Sequence, residues 1–318
     1  MNKKSILLGT AILLCSGMNM QAERIVSINY GHFDTWVKRE IKESAIIGGD
    51  TKTVYEIGPA CTITGDKPYS NMGGSPWATS NVMAKVMGVV KTSNAVFPDS
   101  NGSGHCVKMT TMLEHVRAMG IINMDVLVAG SIFLGRMFEP ISSTKNPYSK
   151  MEMGIPFSQR PDYLQFDYRL VAPTGNRTYS SGFGSKKTVA GRDYAEVYIL
   201  LQRRWEDAKG NIHAARVGTG RQRFGATTSG WVKGHRIKVL YGDITHHAGY
   251  QSFMGLIPRD KSYYARNSKG KMVPVIEEKW DGDAAPTHVL VMASSGCGSA
   301  YIGTIGMTLW VDNMAFVY

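Results

Sequence analysis

The fold this sequence predicts is all-β, an antiparallel β-sandwich with elaborated loops. Three observations predict it. Strand-like runs bounded by Gly, Asn, Asp and Pro recur roughly every 10–15 residues. Amphipathic windows long enough for a helix hardly occur. No strand–helix–strand alternation is present, so a parallel sheet is not expected.

Taken in order, residues 1–22 read as a secretory signal. Lys3 and Lys4 supply its positive start, and Ser5 to Leu14 is apolar but too short to span a bilayer. The cut is placed after Ala22. A lipid anchor on Cys15 is disfavoured, because Leu14 stands where a small residue is needed. No transmembrane segment is expected, and the chain is placed in the periplasm or at the cell surface. Residues 23–318 read as one domain without a linker; the polar loop Glu139 to Gly154 runs directly into strand-like text.

Trp36 to Ser44 is read as a short helix or an irregular loop. Val82 to Lys91, His105 to Leu113 and Asp125 to Phe133 read as strands, the last apolar enough to be buried on both faces. Tyr163 to Leu170 alternates, with Leu164, Phe166 and Tyr168 on one side. Asp193 to Trp205 is a long strand, Asp207 to Asn211 a hairpin loop, and Ile212 to Thr219 the return. Arg236 to Tyr241, His288 to Ser294 and Thr308 to Tyr318 complete the set.

Lys and Arg number 36 and Asp and Glu 25, a formal charge of +11. The basic residues are scattered, and no nucleic-acid motif accompanies them, so nucleic acid is excluded as a partner. A solvated basic surface, or attraction to acidic glycans, accounts for the charge better. Beyond the leader, Cys61, Cys106 and Cys297 show no CxxC spacing, so zinc and redox chemistry lack support. A Cys61–Cys106 disulfide and three thiols acting as small hydrophobes both stay open.

A sugar site needs flat aromatic faces ringed by planar polar groups. The candidate platforms are Trp36, Trp77, Trp205, Trp231, Trp280 and Tyr250. Trp77 and Trp280 sit in loop-like text, where a platform and a loop anchor are both open. Trp205 and Trp310 sit in strand text and are read as core. Arg203 and Arg204 point opposite ways along their strand, so one of them can face a sheet surface and bind an acidic sugar. Asp167, Glu196, Glu206 and Asp243 are acids on strand-like text, and none falls in a catalytic motif. His246-His247 reads as a polar loop.

Three stretches resemble the putative carbohydrate metabolism domain family of exported proteins in Bacteroides-like bacteria. Gly154-Ile155-Pro156-Phe157, running into Arg160-Pro161-Asp162-Tyr163-Leu164-Gln165-Phe166-Asp167-Tyr168, resembles the family's G-x-P-F and following strand block. Tyr301 to Asn313 resembles its G-x-x-G-S-x-L-x-V-D-N ending, with Met307 in place of Ser. Tyr30-Gly31-His32-Phe33-Asp34-Thr35-Trp36 resembles its N-G-x-F-E-x-W opening. The last two are shared more loosely with galactose-binding-like modules. The resemblance implies a jelly roll and a role in glycan handling, with no catalytic residues to carry over.

In a jelly roll the first and last strands are commonly neighbours, which brings Asp34 toward Asp312. With Asn313 and nearby carbonyls, the two would suit a structural Ca²⁺; capping of a strand by Asp312-Asn313 is the alternative. The function expected is an exported, non-catalytic glycan-binding protein, with an oligo- or polysaccharide as ligand and outer-membrane glycan-uptake proteins as partners. A glycoside hydrolase on the same scaffold and a cell-surface adhesion subunit that binds protein are the alternatives.

Overall fold

The computed structural model describes residues 22–71, 74–86, 88–118, 122–182 and 184–318. The expected leader therefore falls, but for Ala22, outside the described residues. Among them the helical turns are four short 3-10 turns, and no helix is long and apolar enough to cross a membrane.

Eight strands form the sandwich: β1 (His105–Ala118), β2 (Ser131–Met137), β3 (Tyr163–Val171), β4 (Ala195–Glu206), β5 (Ile212–Phe224), β6 (Val232–Lys238), β7 (His288–Ser294) and β8 (Thr308–Val317). One sheet has the order β1-β8-β3-β6 and the other β2-β7-β4-β5. The chain alternates between sheets except at the β4–β5 hairpin, and the last two strands each return between two earlier ones. That is the double Greek key of a jelly roll, as expected. Between the sheets lies an apolar core that includes Val107, Leu164, Phe166, Val197, Ile199, Leu201, Val291 and Val311.

The second sheet does more than face the first. Strand Met272–Trp280 adds to β5 in parallel, Tyr264–Arg266 pairs with it, and Met151–Met153 bridges from Tyr264 back to β2. The hydrogen-bonded path β2-β7-β4-β5 thus closes into a ring on its outer side. Phe133, Met153, Tyr198, Leu200 and Leu290 fill part of this second interior. Residues of β4 therefore bury both faces as far as Leu201, which explains its continuous apolar run from Val197.

Several segments differ from the sequence reading. Trp36–Lys42 is a strand in a three-stranded sheet with Thr51–Ile57 and Cys61–Thr64, not a helix. Its period of two was hidden because the inward position between Val37 and Ile41 carries Arg39, buried at 2% exposure. Val82 to Lys91 divides into a hairpin, Val82–Val86 with Val89–Ser93, where Gly88 takes φ +81°. The run Asp125 to Phe133 divides at Gly130, which carries the chain from Ile122–Ala129 beside β1 to β2 in the other sheet. A Cβ on Gly130 would lie 2.2 Å from the Ala95 carbonyl oxygen, so only glycine allows that crossing.

The N-terminal sheet is tied to the sandwich through charge. Arg39 makes a two-pronged contact with Glu139, at 2.9 and 2.6 Å, and also donates to Glu56 at 3.1 Å. Two carboxylates share one buried guanidinium, so one of them is better off protonated. Glu139 also accepts the Tyr69 and Met83 amides. Glu56 is the odd acid: burial, with Glu139 nearby, pushes its pKa up to about 8 against the pull of Arg39.

The chain ends meet as the sequence implied. Ile25–Ser27 pairs with β8. A Cβ on Gly31 of the opening block would lie 2.7 Å from the Met314 carbonyl oxygen. His32 contacts Asn313 across the same junction at 2.9 Å.

Candidate functional site

The ring has a mouth, and the mouth is a cavity of about 640 Å³. A volume of roughly 300–1,000 Å³ is usual for small-molecule sites, and the ends of closed sheets are common places for them. Its walls are the ends of strands: Arg136 on β2, Glu152 beside it, Arg204, Trp205 and Glu206 on β4, His288 on β7 between β2 and β4, and Arg266 on the strand Tyr264–Arg266. Gly154, Ile155 and Pro156 line it too. The G-x-P-F block of the sequence is therefore part of the rim.

Trp205 is the aromatic of this site, and it is 39% exposed. The strand reading placed it in the core. A β-bulge at Val217 of β5 falls between the Leu201–Gly218 and Gln202–Arg216 pairs, and beyond Gln202 the residues of β4 are no longer buried. One ring face stacks on His213, with centroids 5.7 Å apart and planes at 17°. His213 sits between Glu278 at 2.7 Å and Asp207 at 3.2 Å. The bond to Asp207 raises the His213 pKa, burial opposes it, and Glu278 adds to the rise. Held between these two carboxylates, the imidazole fixes the plane of the indole stacked on it.

Beneath the mouth the ring interior is polar. Arg216 and Glu277 form a two-pronged pair at 2.7 and 2.5 Å, both side chains 0% exposed. Arg216 also donates to Thr219, while Glu277 accepts from the Gln202 amide and the Ile257 N–H. Burial works against the Glu277 carboxylate, but Arg216 and these donors outweigh it and lower its pKa. Gln202 passes its other atom upward, its Oε1 accepting from Arg204 Nε at 2.8 Å. The network thus runs from the sealed interior to the open cavity.

Other groups at the mouth have definite states. Glu206 accepts from the Ser268 hydroxyl and amide, which together hold its pKa below the ordinary value. Burial, helped by Arg204, pulls His288 down to about 4, so it is neutral near pH 7. Burial brings Arg204 down to about 10, which leaves it charged.

Trp77 is 1% exposed, its Nε1 donates to the Asn29 carbonyl, and its ring packs edge-on against Phe33. It is a core anchor with no face for a sugar. Trp36 is buried too, with Nε1 on the Phe33 carbonyl. Trp280 ends a strand rather than a loop, and the Arg216 guanidinium lies 5.6 Å from its ring centre. Tyr250 lies in the turn after His247 and does not line the cavity. Arg203 and Arg204 do point opposite ways. Arg204 lines the mouth, while Arg203 lines a smaller cavity of about 210 Å³ on the other side of Trp205, with Ala215, Lys279 and Asp281.

The acids are not brought together. Asp167 and Glu196 lie on opposite outer faces of the sandwich. Asp167 accepts from Gly234, Lys233 and Asn313, and Glu196 from Arg221 and Arg223. Asp243 caps its own turn through Thr245. Asp34 accepts the His105 amide, while Asp312 accepts from Asn101 and Asn313. These are N–H donors, the wrong polarity beside a cation. Among the described residues no three His, Cys, Asp or Glu are placed to hold a metal ion. Cys61 is exposed, Cys106 buried and Cys297 half-buried, all as free thiols.

The sequence signal for this site was the change in β4 from an apolar run to Gln202-Arg203-Arg204-Trp205-Glu206. A strand whose apolar pattern stops while the strand goes on has left its cover.

The family model described as a putative carbohydrate metabolism domain matches residues 52–254. The chain belongs to that family. The match takes in Cys61–Thr64 and nearly all of Thr51–Ile57 from the N-terminal sheet, the G-x-P-F block and the β4–β5 hairpin, so Gly154 and Trp205 both lie within the family region. No curated protein matches the chain. Solved structures similar to it include the following two. One is a putative glycoside hydrolase from Bacteroides thetaiotaomicron VPI-5482, with 18% identity and TM-score 0.44, over 85% of this chain and 81% of that one. The other is a putative glycoside hydrolase from Bacteroides vulgatus ATCC 8482, with 14% identity and TM-score 0.43, over 92% and 94%.

Proposed function

We propose that this carbohydrate metabolism domain binds a glycan in the mouth of the ring, with Trp205 as the platform, and that it does so without cleaving it. The observation that carries this reading is Trp205, exposed where a 640 Å³ cavity walled by guanidinium and carboxylate groups meets the smaller cavity beside Arg203. A pyranose offers an apolar C–H face to such a ring and hydroxyls to such a wall. Export, delivery to the periplasm or surface, and action beside a glycan-uptake system belong to the same proposal.

Hydrolysis is the second reading, favoured by Glu152 and Glu206 lining one cavity. A glycosidase needs one protonated acid near its working pH. Glu206 is held as a carboxylate by Ser268, which argues against that role. The test is a glycan array probed with residues 23–318 and with Trp205→Ala, followed by product analysis on every hit. Binding lost in the variant, with no sugar released, is the expected result. Released sugar that disappears in Glu206→Gln would replace the binding reading with the hydrolase.

A further inference from the structure

Arg204 is a half-buried cation with no carboxylate partner. Its Nε donates to the Gln202 amide oxygen and its Nη2 to the Met153 carbonyl, each at 2.8 Å, and both acceptors are neutral. The nearby buried acid, Glu277, is already paired with Arg216. Gly154 makes the seat for this side chain: a Cβ there would lie 2.9 Å from Arg204 Nη2, and its φ is +92°. The family-like G-x-P-F block thus serves to admit a guanidinium to the cavity wall.

Two further guanidiniums line the same cavity. Arg136 is exposed, and Arg266 lies over the Phe138 ring at 4.4 Å. Among the described residues none of the three has a carboxylate within ion-pair distance. The two acids of the wall are held by neutral donors instead, Glu152 by the Arg266 amide and Glu206 by Ser268. Glu152 acts on Arg204 only through space and Glu277 is held by Arg216, so this guanidinium has no ion-paired carboxylate, and its planar fork matches a carboxylate or a sulfate.

We infer that the glycan bound here carries an anionic substituent, a carboxylate or a sulfate, which Arg204 receives while Trp205 supports the ring. This rests on the glycan-binding reading of the same mouth. Arg136 and Arg266 draw the ligand in from the rim, so binding weakens with salt.

The test uses matched probes measured by calorimetry: acidic oligosaccharides such as trigalacturonate, their carboxyl-reduced forms, and sulfated neutral oligosaccharides. Wild type should prefer an anionic probe to its neutral match on the order of tenfold. Arg204→Gln should bring that ratio close to one, and Trp205→Ala should weaken both probes. The preferred anion, carboxylate or sulfate, names the source. Should Arg204→Gln fail to fold, Arg136→Gln on the exposed rim should still lower the ratio about two- to fivefold with an unchanged melting temperature. Equal binding of acidic and reduced probes, both lost in Trp205→Ala, would overturn the anionic inference and leave the glycan reading standing. Binding that ignores Trp205→Ala, or no binding on any probe, would overturn both.

Discussion

Strand β4 is buried on both sides, and its two sides meet different interiors. Ala195, Val197, Ile199 and Leu201 face the first sheet in an apolar core. Tyr198, Leu200 and Gln202 face the ring, where apolar contacts give way toward the mouth to the Gln202–Glu277–Arg216 network, while Glu196 meets Arg221 and Arg223 at the other end of the strand. The sandwich side is held by area removed from water, which depends little on direction. The ring side is held by directed bonds, each of which leaves a costly orphan if its partner goes. The same strand thus carries a tolerant interior and an exacting one, and the exacting one opens on the cavity.

Breaking the exacting interior should have the largest effect. Arg216→Met leaves Glu277 buried and alone, and about 3–5 kcal/mol of stability should be lost in urea unfolding. Adding Glu277→Leu should restore most of it, because an apolar pair has no charge to desolvate. A cost near zero for the single variant would mean that the ring is not sealed in solution.

The two tryptophans sharpen the contrast. Trp77→Ala empties a sealed site and should cost about 3–5 kcal/mol. Trp205→Ala sits on an open rim and should change stability within about 0.5 kcal/mol, yet abolish glycan binding. Thermal melts beside a binding isotherm separate the two.

Glu56 tests the other buried charge cluster. Its folded pKa, about 8, is raised above the ordinary 4.5. Between those values the folded state holds a proton that the unfolded state has released, so stability falls as pH rises from about 4.5 to about 8. Glu56→Gln mimics the protonated form. It should flatten that slope and match or exceed wild type at pH 8, by an amount on the order of a kcal/mol. A Glu56→Gln protein that melts well below wild type at pH 8 would show that the charged form is the native one.

The smallest effect is expected from metal. The oxygens of Asp34 and Asp312 face N–H donors, so adding Ca²⁺ or EDTA should leave the melting temperature of residues 23–318 unchanged. A calcium-dependent rise would restore the ion that the sequence suggested for these two acids.

Much of the framework was readable in the residues. Alternation in Tyr163 to Leu170, the long apolar run of β4 and the G-x-P-F block all report local chemistry, because a strand must match its face. The readings that differed share one cause. Arg39 occupies an inward position and so masked a strand, and Trp205 occupies an outward one and so passed for core. Each is a residue whose burial is set by a partner distant in the chain, Glu139 for Arg39 and the absence of cover for Trp205. Gly130 and Gly88 were plain in the sequence, but whether a glycine turns a chain or joins two sheets depends on what approaches it.

The sequence by itself determined the strand rhythm, the class of fold and the family, since these follow from the order of apolar, polar and turn residues along the chain. Only the tertiary structure decided that the second sheet closes into a ring, that Trp205 rather than Trp77 is open, and that Arg204 lacks a carboxylate. Those facts depend on which distant segments come to lie side by side. A ring closed by a single bridge from Met151–Met153 to Tyr264, and a charge left without a partner, are properties of neighbours that no local pattern records.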